Sequence, residues 1–179
     1  MKKAAVLLLV LVLAISSLLC ACKKDNIVKV SIDSSSLSQE ELDDLDAFAV
    51  ANGFLSAKLN KDGTVTLVID ELDHDKLLYS LGVSVIRNVY GMIDSEEYPY
   101  IKDIERNDDF TSITIFVDRD KYEKSGDGNL CSVFAGNSCM VYLKYTEYKQ
   151  QDKICTVTIA DYQTKEEISK DVYPQETDD

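Results

Sequence analysis

Residues 54–70 constrain the fold more than any other stretch of this chain. Residues 54–60 and 64–70 flank Lys61-Asp62-Gly63, and the second flank places Val65, Leu67 and Ile69 on one face. Alternation sends successive side chains to opposite faces of a strand, and an Asp-Gly pair supplies the positive φ that a tight turn needs. The stretch therefore reads as a β-hairpin with one apolar face. Val68 points the other way, so that face is partly covered too.

The other segments are read around this hairpin. Residues 26–32 alternate, with Val28, Val30 and Ile32 on one side, and predict a first strand. Residues 33–36 are a polar connection. Ser38 followed by Glu41 is a capping-box pattern that starts a helix with Leu42, Leu45, Phe48 and Ala49 as its apolar stripe. Asn52-Gly53 stops that helix. From Asp73 the period turns helical again, with Leu77, Leu81, Val85, Val89 and Ile93 every fourth residue and Leu78, Ile86 and Tyr90 widening the stripe. Gly82 and Gly91 each weaken helix propensity by roughly 1 kcal/mol, so tertiary packing must hold this helix. Glu97-Tyr98-Pro99 breaks it. Residues 100–106 and 110–118 predict two strands joined at Asn107-Asp108-Asp109, with Ile113, Ile115 and Val117 on one face. Residues 120–128 are polar and contain glycine. Val133, Phe134, Met140, Val141, Leu143 and Tyr145 line a helix over 130–148, broken near Gly136-Asn137. Residues 154–160 and 167–173 form a last strand pair around Gln163-Thr164-Lys165.

The order is strand, helix, hairpin, helix, hairpin, helix, hairpin. The fold class expected is α+β: a largely antiparallel sheet built from hairpins, with about three helices packed on one face. The helix–hairpin units are too dissimilar to be a repeat. The domain organisation expected is a signal peptide over 1–21, a lipidated Cys22 with tether and first strand over 22–37, one α+β domain over 38–174, and an acidic tail over 175–179.

The N-terminus carries an address. Met1-Lys2-Lys3 is a short positive start, and residues 4–19 are apolar apart from Ser16 and Ser17. The run is shorter than the ~20 residues that span a bilayer comfortably. It ends in Leu19-Cys20-Ala21-Cys22, which resembles the lipobox of bacterial lipoproteins: an aliphatic residue, a small residue before the cut, then cysteine. The resemblance implies cleavage before Cys22 and attachment of diacylglycerol to its sulfur. Cys20 fits less well, because Leu19 would stand where a small residue is wanted. An ordinary secretory signal or a single membrane helix is the alternative. Two or more acyl chains, at roughly 0.8 kcal/mol per buried methylene, hold a protein stably on a membrane. The expected location is therefore the cell membrane, lipid-anchored at its extracytoplasmic face.

The chain has 32 acidic and 19 basic residues, a formal charge of −13, and loss of Lys2 and Lys3 makes it more acidic still. Such a charge disfavours nucleic acid and electrostatic docking on anionic lipid. It suits solubility, cationic partners or loosely held divalent cations. Beyond Cys22, Cys131, Cys139 and Cys155 remain, with no C-x-x-C. They are read as small buried hydrophobes, with a disulfide as the runner-up. Within one straight helix Cys131 and Cys139 would stand about 12 Å apart, too far to bridge.

His74, the one histidine, lies in the acidic stretch 70–75 at the start of the long helix. It is expected to be solvated or to pack locally; a metal ligand or general base is the alternative. The acidic run Glu40, Glu41, Asp43, Asp44 and Asp46 reads as a solvated helix face favoured by the macrodipole. The acidic stretch 70–75 and Asp118-Arg119-Asp120 with Asp127-Gly128-Asn129 are two candidate calcium sites, but neither matches the calcium-loop register. No nucleophile-elbow, P-loop, zincin or S-x-x-K motif occurs after the leader. No catalytic residue, metal ligand or cofactor is therefore assigned, and an enzyme is not expected. Tyr142, Tyr145 and Tyr148, three apart, would form one helical stripe that rims the core or meets a partner.

The lipobox, Ala51-Asn52-Gly53-Phe54, Asp62-Gly63-Thr64-Val65, His74-Asp75-Lys76-Leu77-Leu78, Asn107-Asp108-Asp109-Phe110-Thr111 and Val172-Tyr173-Pro174 together resemble a family of small lipoproteins of clostridia and their relatives. The chain departs at Thr164-Lys165-Glu166, where that family has a Thr-Gly turn. The resemblance implies a fold family and a Gram-positive membrane surface, and no activity or ligand. The function expected is a membrane-anchored binding or interaction module for an envelope protein or cell-wall component. A small-ligand or cation-binding lipoprotein and a surface hydrolase with dispersed catalytic residues are the alternatives.

Overall fold

The computed structural model describes residues 26–93, 95–127 and 129–175; the leader, Cys20 and Cys22 lie outside the described residues. The hairpin at Asp62-Gly63 forms as the sequence predicts. β2 (Ser56–Leu59) pairs antiparallel with β3 (Thr64–Asp70), Gly63 takes φ 80, and Asn60 N donates to Thr64 O at 2.8 Å. On the other edge of β3 lies β1 (Ile27–Asp33), with Val30 opposite Leu67 and Ile32 opposite Val65. These residues and Ile69 form a buried face on which Phe48, Ala49 and Phe54 pack.

Phe48 and Ala49 come from α2 (Leu45–Ala51), preceded by α1 (Gln39–Asp43). The capping box is present, with Ser38 N donating to Glu41 Oε2 at 2.7 Å and Glu41 N to Ser38 Oγ at 3.3 Å. One helix was expected here; two form, because Asp44 leaves helical geometry at φ −137 and caps α2 through Ala47 N. This side-chain bond competes with the backbone helix bond, a habit of Asp.

The long helix is α3 (Glu71–Tyr90), capped by Asp70 and buried along His74, Gly82, Val85 and Val89. Its first half touches the β1–β3 core through Leu77, and its second half touches another core through Val85 and Val89.

That second core covers a separate four-stranded sheet. Its strands are β4 (Ile101–Arg106), β5 (Ser112–Val117), β6 (Cys155–Asp161) and β7 (Glu167–Tyr173), in the order β4-β5-β6-β7. The α+β class and the hairpins β4–β5 and β6–β7 are as expected. Two features differ: the strands divide into two sheets, and β5 runs parallel to β6, with Ile113 opposite Val157 and Ile115 opposite Ile159. Parallel neighbours need a crossover of a dozen or more residues, supplied here by α4 (Arg119–Ser125) and α5 (Leu130–Leu143).

α4 lies in a polar stretch that the expected element order leaves without an element. Asp118 Oδ1 accepts from Lys121 N, and Gly126 at φ 73 ends the helix. α5 runs unbroken through Gly136, where a break was expected. A Cβ at Gly136 would run into the buried Tyr173 ring, so the missing side chain serves helix-to-sheet packing rather than a bend. Where the last hairpin lacks glycine, Lys165 takes φ 62, and its Nζ lies 3.9 Å from the Phe116 ring centroid.

Candidate functional site

Where the two sheets meet, the segment between α5 and β6 stitches them together. Lys153 follows a 3-10 turn over Gln150–Asp152 and shares the inward parity of Cys155, Val157 and Ile159. It is 2% exposed. Its Nζ donates to Ser31 O on β1 at 2.6 Å and to Lys144 O at 2.7 Å. Among the described residues no ion pair joins Lys153 to a carboxylate. Burial, reinforced by the neighbouring Lys144 charge, pushes the amine down to about 8.

Lys153 opens onto a cavity of about 300 Å³ lined by Asp33, Ser36, Met140, Lys144, Lys153 and Pro174, among others. Lys144 is half-buried, its Nζ donates to Ser36 O at 3.4 Å, and burial lowers its amine while Glu41 opposes that shift. Asp33 is turned to Ser35 N at 2.8 Å. The lining thus offers two ammonium groups, one carboxylate and apolar wall from Met140 and Pro174. It can offer charge-assisted hydrogen bonds to a small anionic group beside a buried ammonium. Sequence reasoning missed Lys153, although its place two residues before Cys155 in an alternating strand carried the signal.

His74 is 3% exposed, and its Nε2 lies 2.8 Å from Tyr145 O, a bond between residues 71 positions apart. It packs, but not locally: the helix period puts it on the buried side of α3, and it fastens α3 to the segment after α5. Ser132 and Asp171 do meet, Oγ to Oδ2 at 2.7 Å, but Ser132 is fully buried and its further contact is Tyr173 OH. The histidine is committed to Tyr145, so this pair stands without it.

The other sequence candidates are placed as follows. Asp118 caps α4; Arg119 pairs with Asp161 at 3.7 Å and Glu166 at 3.6 Å. Among the described residues, no group of three His, Cys, Asp or Glu is arranged to hold a metal; Gly128 lies outside them. In the acidic run, Glu41 closes the capping box and Asp43 accepts from Gln39 Nε2 at 2.7 Å. The three cysteines are free and buried, so the disulfide alternative is not what forms. Sharing a hydrogen bond with Cys155, and then burial, push the Cys139 thiol up. The tyrosines do not form one stripe, because α5 ends at Leu143. Tyr142 meets Phe110 edge-on at 4.7 Å, Tyr145 reaches Phe54 in the first core, and Tyr148 OH donates to Asp109 at 3.2 Å. A larger cavity of about 480 Å³ between α3 and α5 is lined mainly by apolar side chains, including Val85, Phe134 and Val141.

Fold and site define an α+β protein of two hairpin-built sheets, joined by a long shared helix and a buried lysine. No family model, curated protein or solved structure matches the chain.

Proposed function

We propose that this chain is a membrane-anchored extracytoplasmic binding module, held by diacylglycerol on Cys22 and presenting its surface to an envelope protein or cell-wall component. The observation that carries the reading is the apolar run ending in Leu19-Cys20-Ala21-Cys22, followed within a few residues by β1 at Ile27. Among the described residues no helix is long and apolar enough to cross a membrane. The lysine-lined cavity lies at the Asp33 end of β1, six residues on from Ile27, or about 20 Å at ~3.4 Å per residue.

Metabolic labelling with radioactive palmitate tests the anchor. The wild-type chain takes up label and sediments with membranes, whereas Cys22→Ser does neither. Label retained in Cys22→Ser would refute the anchor at this residue. Crosslinking of the tagged chain in cells then tests the binding role, with Cys22→Ser as control. A stoichiometric envelope partner lost with the tether supports the module; the same proteins captured by both chains would count against it.

A further inference from the structure

A buried cation without a carboxylate partner is unusual. Lysines are almost never fully buried unless paired, because desolvation opposes the charged form. Lys153 is 2% exposed, and both its hydrogen bonds go to backbone carbonyls. Carbonyl dipoles orient an ammonium without neutralising it. The cavity beside it has a second lysine, Lys144, and a single acid, Asp33. Its charged lining, two lysines against one acid, is therefore net positive, with Glu41 acting on Lys144 from outside it, in a chain whose formal charge is −13. The charge, the space of about 300 Å³ and the apolar wall of Met140 and Pro174 occur together. That volume is at the lower end of small-molecule sites and far exceeds the ~30 Å³ share of one water.

We propose that this cavity binds a small monocarboxylate, its carboxylate seated between Lys153 and Lys144 and its hydrocarbon end against Met140 and Pro174. One negative charge completes the balance of the lining. A doubly charged phosphate would exceed it and would leave the apolar wall unused. The inference rests on the reading of this domain as a binding module, and names the ligand class of one site in it. Seating the anion beside Lys153 also gives the buried ammonium its missing counter-charge, so ligand binding and the joint between the two sheets are coupled.

The test uses the full-length chain purified in a non-ionic detergent. Sodium butyrate, its neutral isostere butyramide and sodium phosphate are titrated separately, read by calorimetry and by NMR of isotope-labelled lysines. Butyrate should bind saturably and raise the titration midpoint of Lys153 from its starting value of about 8. Butyramide should not bind. Lys144→Gln should weaken butyrate about tenfold or more, the loss of one charge-assisted contact. Lys153→Met should abolish binding; its far-UV circular dichroism is read alongside, and Lys144→Gln carries the test if that variant does not fold. Butyramide binding as well as butyrate, phosphate binding more tightly than butyrate, or no saturable butyrate binding would each overturn the proposal. A captured envelope partner together with no butyrate binding would overturn it while leaving the binding-module reading intact.

Discussion

Raising the pH from about 7 to about 9.5 should stabilise the wild-type protein relative to Lys153→Met by about 2 kcal/mol. Lys153 titrates near 8 in the folded chain against an ordinary 10.5. Between those values the unfolded chain holds a proton that the native chain has released, so stability rises with pH. The penalty is fully present below about 8, amounts to about 3 kcal/mol at ~1.4 kcal/mol per pH unit, and is gone above the unfolded value. The side chain is 2% exposed, so solvent does little to screen it. Other groups push the opposite way. Burial raises the Cys131 thiol and the phenols of Tyr122 and Tyr173, and these lose stability as their unfolded forms ionise. They are common to both proteins and cancel in the difference. The variant also leaves Ser31 O and Lys144 O without their donor, at about 1–3 kcal/mol each. That loss does not depend on pH, so the slope and not the offset is diagnostic. Urea unfolding of both proteins, followed by circular dichroism at several pH values, measures it. A difference that stays flat, or falls with rising pH, would refute the desolvated lysine.

Gly136→Ala should destabilise the protein by about 1–2 kcal/mol, because overpacking against the buried Tyr173 ring outweighs the ~1 kcal/mol of helix propensity that Ala brings. A urea midpoint equal to or above wild type would remove the close-contact argument. In a chain carrying Cys20→Ser and Cys22→Ser, the buried thiols of Cys131, Cys139 and Cys155 should stay silent to an aromatic disulfide reagent until denaturant is added, with three released per chain on unfolding. Rapid reaction of any one of them under native conditions would contradict its burial.

Much of the fold was readable where the cause is local. The Ser38–Glu41 box, the Asp62-Gly63 turn and the two later hairpins depend on residues within a few positions of one another. The class α+β followed from their order. What was misread has a longer range. Gly136 looks like a helix breaker until Tyr173 stands against it. Residues 119–125 lack an apolar stripe, and their helix is set by the Asp118 cap and the crossover it belongs to. Its acidic neighbours predict that His74 is solvated or packs locally, yet the α3 period turns it inward to a carbonyl far along the chain.

By itself, then, the chain determined the positions of its turns, caps and strand faces, and the N-terminal motif that suggests an anchor. Those depend on φ/ψ preference and on period, which are properties of neighbours. Only the tertiary structure decided that the seven strands among the described residues divide into two sheets, that β5 lies parallel to β6, and that Lys153 bridges the sheets. Hairpin chemistry specifies who follows whom and not which hairpins share an edge. That choice belongs to the burial of distant apolar faces, and the same burial isolates one ammonium from water.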